Sequence, residues 1–154
     1  MKELIDKSIK KYVKDYSKRK EITSDWQEPL LAYADANDHL FKKLKKVISP
    51  SHAVPSDFLK EAATVITFFL PFKNSINESN IKGRLSSKEW AVSYIETNQL
   101  ILEINKHVKA ILRKKGYKST IIHATHNFDE ENLISDWSHR HAAYIAGLGT
   151  FGIN

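Results

Sequence analysis

Six consecutive residues, Asp136-Trp-Ser-His-Arg-His141, pack a carboxyl group, two imidazoles and a guanidinium into a stretch short enough for less than two helical turns. Such a carboxyl can donate a proton in a reaction near neutral pH if burial raises its pKa, and His139, Arg140 and His141 can hold a polar or charged cofactor. A helix start is an equally good use of Asp136 or Ser135, since both residue types cap helices. Gly147, Gly149 and Gly152 follow at once. Glycine tolerates positive φ and close approach by another group, so this loop suits either wrapping a cofactor or ending a helix. The spacing matches G-x-G-x-x-G, but a helix-like segment precedes it where a dinucleotide site needs a strand, so a dinucleotide is not the favoured ligand. His123 with His126, and His139 with His141, offer imidazoles without chelating geometry. On a strand, i and i+3 point to opposite faces, and on a helix i and i+2 diverge by about 200°. No metal site is expected. Glu96-Thr-Asn98 places polar residues among apolar ones, and Asn98 joins the candidate cofactor-binding residues.

Composition bounds the rest. The chain has 154 residues, 42% of them hydrophobic and 27% charged, which suits one globular domain and excludes disordered and fibrous classes. Its longest apolar stretch, Val65 to Phe72, falls far short of the roughly 20 residues that cross a bilayer, so no membrane partner is expected. There is no cysteine, which removes disulfides, thiolate metal sites and cysteine nucleophiles from these residues and agrees with a reducing, cytoplasmic setting. The net charge of +6 is concentrated at the start, where the first twenty residues hold eight Lys/Arg against three Asp/Glu. The simpler reading is the solvated face of an amphipathic helix, and the alternative is attraction to a phosphate backbone.

Several elements must position these groups. Ile5, Ile9, Tyr12, Val13 and Tyr16 predict a helix over 3–19 with one apolar stripe. A second, short helix is expected around Leu40 to Ile48, stopped by Ser49 and Pro50, with Pro55 keeping the chain extended and Ser56 capping one turn. Ala63 to Phe72 is β-branched and aromatic without alternation, which predicts a central strand covered on both faces. Asn74 to Leu85 reads as a polar surface loop. Ser86 with Glu89 opens a long helix carrying Trp90, Tyr94, Ile101, Ile104, Val108, Ile111 and Leu112, closed by Gly116. Lys118 to Ala124 reads as a second strand and 137–146 as a final short helix. Strands separated by helices indicate an α/β or α+β sheet with packed helices.

Three blocks carry a resemblance. Val65-Ile-Thr-Phe-Phe-Leu-Pro-Phe72, Glu89-Trp with Tyr94-Ile-Glu-Thr-Asn98, and Ser135-Asp-Trp-Ser-His-Arg-His-Ala-Ala-Tyr-Ile-Ala-Gly-Leu-Gly-Thr-Phe-Gly152 resemble the N-terminal region of epoxyqueuosine reductase-like iron-sulfur proteins, relatives of the corrinoid-dependent reductive dehalogenases. The resemblance spans roughly residues 28 to 154 and is most specific in the last block. It implies a nitroreductase-like α/β unit that binds cobalamin, an incomplete module truncated before a ferredoxin-like segment whose cysteines hold 4Fe-4S clusters. It further implies that Gly147, Gly149 and Gly152 lie near the corrinoid and that Asp136 is the acid that protonates the substrate. Trp137 to His141 stands where the family has a Pro-containing segment, which implies a divergent branch with its own substrate. Implied partners are a corrinoid, an electron donor protein, and a tRNA or small-molecule substrate. On this reading the isolated chain is inactive. The alternatives are a non-catalytic ligand-binding module and a basic RNA-associated protein.

Overall fold

The computed structural model describes residues 1–81 and 83–152, and its chain forms two compact units. One comprises residues 1–30 and 69–117, the other residues 31–68 and 118–152. Among the described residues helices are combined with one two-stranded antiparallel sheet, an α+β arrangement.

The first unit is built on two helices, α1 (Lys2–Tyr16) and α5 (Lys88–Lys114). Of the stripe read on α1, Ile5, Ile9, Val13 and Tyr16 are buried and Tyr12 only partly, and they meet a face of α5 that carries Leu100, Ile104 and Val108; Leu100 stood outside the stripe read on α5, and Tyr94 within it is exposed. Each fully buried aliphatic side chain contributes about 1.5–3 kcal/mol, so these residues dominate the stability of the pair. Ser8 bonded to His107 and Tyr12 bonded to Glu103, at 2.7 and 2.8 Å, fix an antiparallel alignment. Both ends of α5 are capped. Ser87, one residue beyond the expected cap, accepts from the Trp90 amide. At the other end Gly116 takes φ +82°, its amide bonds Arg113 and the Tyr117 amide bonds Leu112, a complete glycine stop. The expected loop after Pro71 contains a short helix, α4 (Asn74–Ser79), which buries Ile76; Lys82 of that loop lies outside the described residues.

In the second unit β1 (Leu30–Asp35) pairs with β2 (Thr64–Phe69), and α2 (His39–Val47), α3 (Pro55–Phe58) and α6 (His139–Ile145) complete it. Ala34, Phe41, Leu44, Ala53, Trp137 and Ala142 form its core. Three sequence expectations change here. β2 is one of only two described strands and its side chains are only partly buried, because β-branched composition reports packing surface and not the number of neighbours. Its partner β1 has the sequence Leu-Leu-Ala-Tyr-Ala-Asp, too rich in alanine to announce a strand. Residues 118–124 pair with no described strand; Ile122 instead packs on the core as irregular chain. Pro55 occupies the first position of α3 after extended Val54, so Ser56 sits inside that turn and does not cap it.

His107 makes the first unit sensitive to acid. Burial, reinforced by Lys114, holds its pKa below the ordinary imidazole value of 6.5. The neutral ring is the one the fold accepts, so this contribution is complete above the unfolded value and is lost as pH falls through the folded one. Melting curves at pH 8 and pH 5 should show a larger loss of Tm for the wild type than for His107→Asn.

Candidate functional site

Asp136 is placed by the residue after it. Trp137 is buried, stacked on Phe41 with ring centroids 5.9 Å apart and met edge-on by Phe58 at 5.2 Å. The Asp136 carbonyl accepts from the Ala53 amide at 2.7 Å, so main chain and neighbouring side chain are both pinned. The carboxylate therefore leaves the core in a set direction. Ser138, and neither Asp136 nor Ser135, caps α6, accepting from the His141 amide. That releases Asp136 for another use.

Both oxygens of that carboxylate are engaged. His126 Nδ1 lies 2.7 Å from Oδ1 and Asn127 Nδ2 lies 2.8 Å from Oδ2. The intervening chain doubles back as a tight hairpin in which Asp129 and Ile134 exchange backbone hydrogen bonds at 2.8 and 3.2 Å. Asp129 organises the turn by accepting from the Glu131 and Asn132 amides and from the Asn132 side chain, and those donors, the Asn132 side chain foremost, hold its carboxyl below the usual range. Asn127 and Leu133 take positive φ, +44° and +55°. For a leucine that backbone is costly, and Leu133 also leaves its side chain largely in solvent. The hairpin thus maintains a conformation that its own composition does not favour.

Beside Asp136 is a depression of about 460 Å³. Ser49 and Ser51 line it from the link after α2, Asn127, Asp129, Asn132 and Ile134 from the hairpin, and Asp136 from the segment entering α6. The volume falls within the size class of small-molecule sites, and the lining offers hydroxyls, amides and two carboxylates without a cation. The chemistry available is acceptance of hydrogen bonds from a ligand and proton exchange with it.

The other candidate residues are not gathered here. His139 donates from Nε2 to the His123 carbonyl at 2.9 Å, a local tie of the segment before the hairpin. His141 bonds Ser138 through Nδ1 at 2.7 Å, and burial, followed by the nearby His52 and Arg140, lowers its pKa. Arg140 is exposed. Gly147 ends α6: at φ +77° its amide bonds Tyr144 while the Leu148 amide bonds Ala143, the same glycine stop that closes α5. A Cβ placed on Gly147, Gly149 or Gly152 meets nothing within 4 Å, so the main chain of this loop is open on that side. Phe151 folds back over α6, its ring 4.8 Å from His141 and 5.6 Å from Tyr144. None of these residues lines the depression. Asn98 is exposed on α5 in the first unit, while its neighbours tether residues 23–26: Glu96 accepts from Thr23 and Ser24, and Thr97 accepts from the Trp26 indole. Burial opposes ionisation of Glu96, but the Ser24 and Thr23 hydrogen bonds outweigh it and lower its pKa.

His126 and Asn127 were not singled out as partners of Asp136. They lie ten and nine positions before it, and only the hairpin brings the three together; its signal was the polar stretch Asn127-Phe-Asp-Glu-Glu. Among the described residues no cluster of three or more His, Cys, Asp or Glu is arranged to hold a metal ion.

The two loop glycines separate by their backbones. Gly147→Ala should cost about 1–2 kcal/mol in urea unfolding because φ is positive, although space for the methyl is free. Gly149→Ala, at ordinary φ and equally open, should leave stability within about 0.5 kcal/mol. Comparison of the chain with protein-family models, curated proteins and solved structures finds no match.

Proposed function

We propose that this chain is the substrate- and cofactor-handling part of an epoxyqueuosine reductase-like, corrinoid-dependent reductase, with Asp136 delivering the proton that accompanies reduction. The observation that carries the reading is the Asp136 carboxylate, clamped by two side chains at a small-molecule-sized depression with its backbone tied to Ala53. Such clamping keeps a reacting group within the narrow geometry that proton transfer needs.

A corrinoid fits the open side of the glycine loop better than the depression. A large flat group can lie against main chain that carries no Cβ, and Gly147, Gly149 and Gly152 leave that approach clear, with His139, Arg140 and His141 on the adjoining helix. When bound, the group would take electrons from iron-sulfur clusters and pass them to the substrate. These 154 residues contain no cysteine, so the electrons must come from a cluster-bearing ferredoxin-like donor. The protein's own part is to hold the ligand in the depression, keep Asp136 directed at it and exchange its proton. A nitroreductase-like sheet belongs to the same proposal, for which the α+β architecture is the supporting observation.

A second reading is favoured by α1. Its outer face presents Lys11 and Lys14 to solvent, with Lys20 exposed in the turn just beyond it, while Ile5, Ile9 and Val13 are committed to the core. A face of that kind attracts an RNA phosphate backbone and would serve either a tRNA substrate or a purely RNA-associated protein.

Hydroxocobalamin added to the chain should change its visible spectrum and raise Tm, a saturating ligand at a hundred times Kd contributing about 2.7 kcal/mol. An unchanged spectrum together with tight, steeply salt-dependent RNA binding would leave the second reading standing alone. With hydroxocobalamin, a reduced ferredoxin and an epoxyqueuosine-bearing tRNA, Asp136→Asn should lower turnover about a hundredfold or more with Tm retained. Equal turnover would reduce Asp136 to a structural residue.

A further inference from the structure

A carboxylate that accepts two hydrogen bonds is well oriented and poorly supplied with protons. Whatever donates a proton through Asp136 must be reloaded after each event, and the residue able to do so is in contact with it. An ionised carboxylate has only acceptors, so the 2.7 Å contact to His126 puts a hydrogen on Nδ1. The same ring then has Nε2 as its second titrating atom. No described residue bonds Nε2, and the His126 side chain keeps 31% of its surface exposed against 19% for Asp136. Solvent therefore reaches the imidazole more readily than the carboxylate.

The ring is also held. Phe58 meets it edge-on with centroids 5.0 Å apart, and the His126 carbonyl accepts from Ser135 Oγ at 2.5 Å, which ties the two ends of the hairpin next to Asp136. Asn127, at φ +44°, supplies the second clamp, so adjacent residues take the two oxygens of one carboxylate. Asp129 is the other charged group on the same depression, and its oxygens are occupied by its own turn.

We propose that His126 is the positioning and proton-supplying residue of this site. Its Nδ1–H, together with Asn127, fixes the Asp136 carboxylate at the depression, and protons enter the pair at Nε2. One solvent proton adds to Nε2, the hydrogen on Nδ1 moves to Asp136 Oδ1, and the carboxyl gives it to the bound ligand. The ring is left neutral with its hydrogen on Nε2, Asp136 is again a carboxylate, and exchange with solvent restores the starting tautomer. Net transfer is one proton from solvent to ligand. The inference rests on the reading of Asp136 as the proton donor.

Two measurements test it, the first independent of any cofactor or substrate. Nitrogen NMR of the chain should find His126 in the Nδ1–H form with a slowly exchanging ring proton, and Asp136→Asn should abolish that protection. An Nε2–H ring in the wild type overturns the proposal. The second compares His126→Ala with His126→Asn in the ferredoxin-driven assay. Alanine should raise KM and lower kcat at least tenfold, with added imidazole recovering part of kcat. Asparagine keeps a donor near the Nδ1 position and lacks Nε2, so it should restore KM while kcat stays low. Full recovery of kcat by asparagine would make His126 a purely structural support. Absence of any hydroxocobalamin-induced spectral change in the wild type would count against the reductase reading, and the NMR result would still decide the geometry of the pair.

Discussion

Burial of the Trp137 indole is the constraint on which the candidate site depends. Phe41 stacks on it, Phe58 and His52 approach it, and the segment entering α6 has no freedom to slide once that ring is seated. Aromatic pairs of this kind contribute about 0.5–1.5 kcal/mol each beyond the area they bury. The consequence for chemistry is indirect and strong. A residue one position from a locked tryptophan inherits a fixed backbone, and Asp136 gains its orientation without stabilising the core itself. The cost is visible in the same place, since Trp137 Nε1 and His52 Nε2 are buried without a hydrogen-bond partner in the described structure. A donor and an acceptor left so exert a penalty that a purely structural core would avoid.

The hairpin from His126 to Ser135 converts that fixed point into a site. Its turn is closed by Asp129 through local hydrogen bonds, and its ends are tied by Ser135 to the His126 carbonyl. Local bonding explains why so polar a segment can be ordered with few apolar contacts. Positive φ at Asn127 and Leu133 is the strain stored there, and strain of that sort persists only where surrounding structure over-determines the conformation. His126 and Asn127 lie at the end of the hairpin that faces Asp136, where small changes in the turn alter the clamp directly.

The first unit follows simpler rules. Its helices are amphipathic in the ordinary way, and polar residues that looked out of place on α5 are tethers: Glu96 and Thr97 hold the loop after α1 through Thr23, Ser24 and Trp26. Polar side chains set within an apolar stripe are explained there by hydrogen bonds to loop backbone, without recourse to a ligand. Arg19 over the Tyr16 ring, and paired with Glu103, extends the same tethering along the helix.

Periodicity in the sequence determined α1, α2, α5 and α6 and the glycine stop at Gly116, because each depends on residues a few positions apart, whereas the stop at Gly147 and the Ser138 cap of α6 emerged only in the fold. Asp136 was also visible, as an acid beside imidazoles and glycines. The alanine-rich β1, the irregular course of 118–124 and the small sheet were settled only by tertiary structure, since a strand exists through its neighbour and not through its own composition. The partnership of Asp136 with His126 and Asn127, and the separation of His139, Arg140, His141 and the glycines from the depression, were settled there too. Hydrogen bonds across a hairpin depend on how ten residues turn, and neither residue type nor spacing specifies that turn until Trp137 is buried and anchors one end.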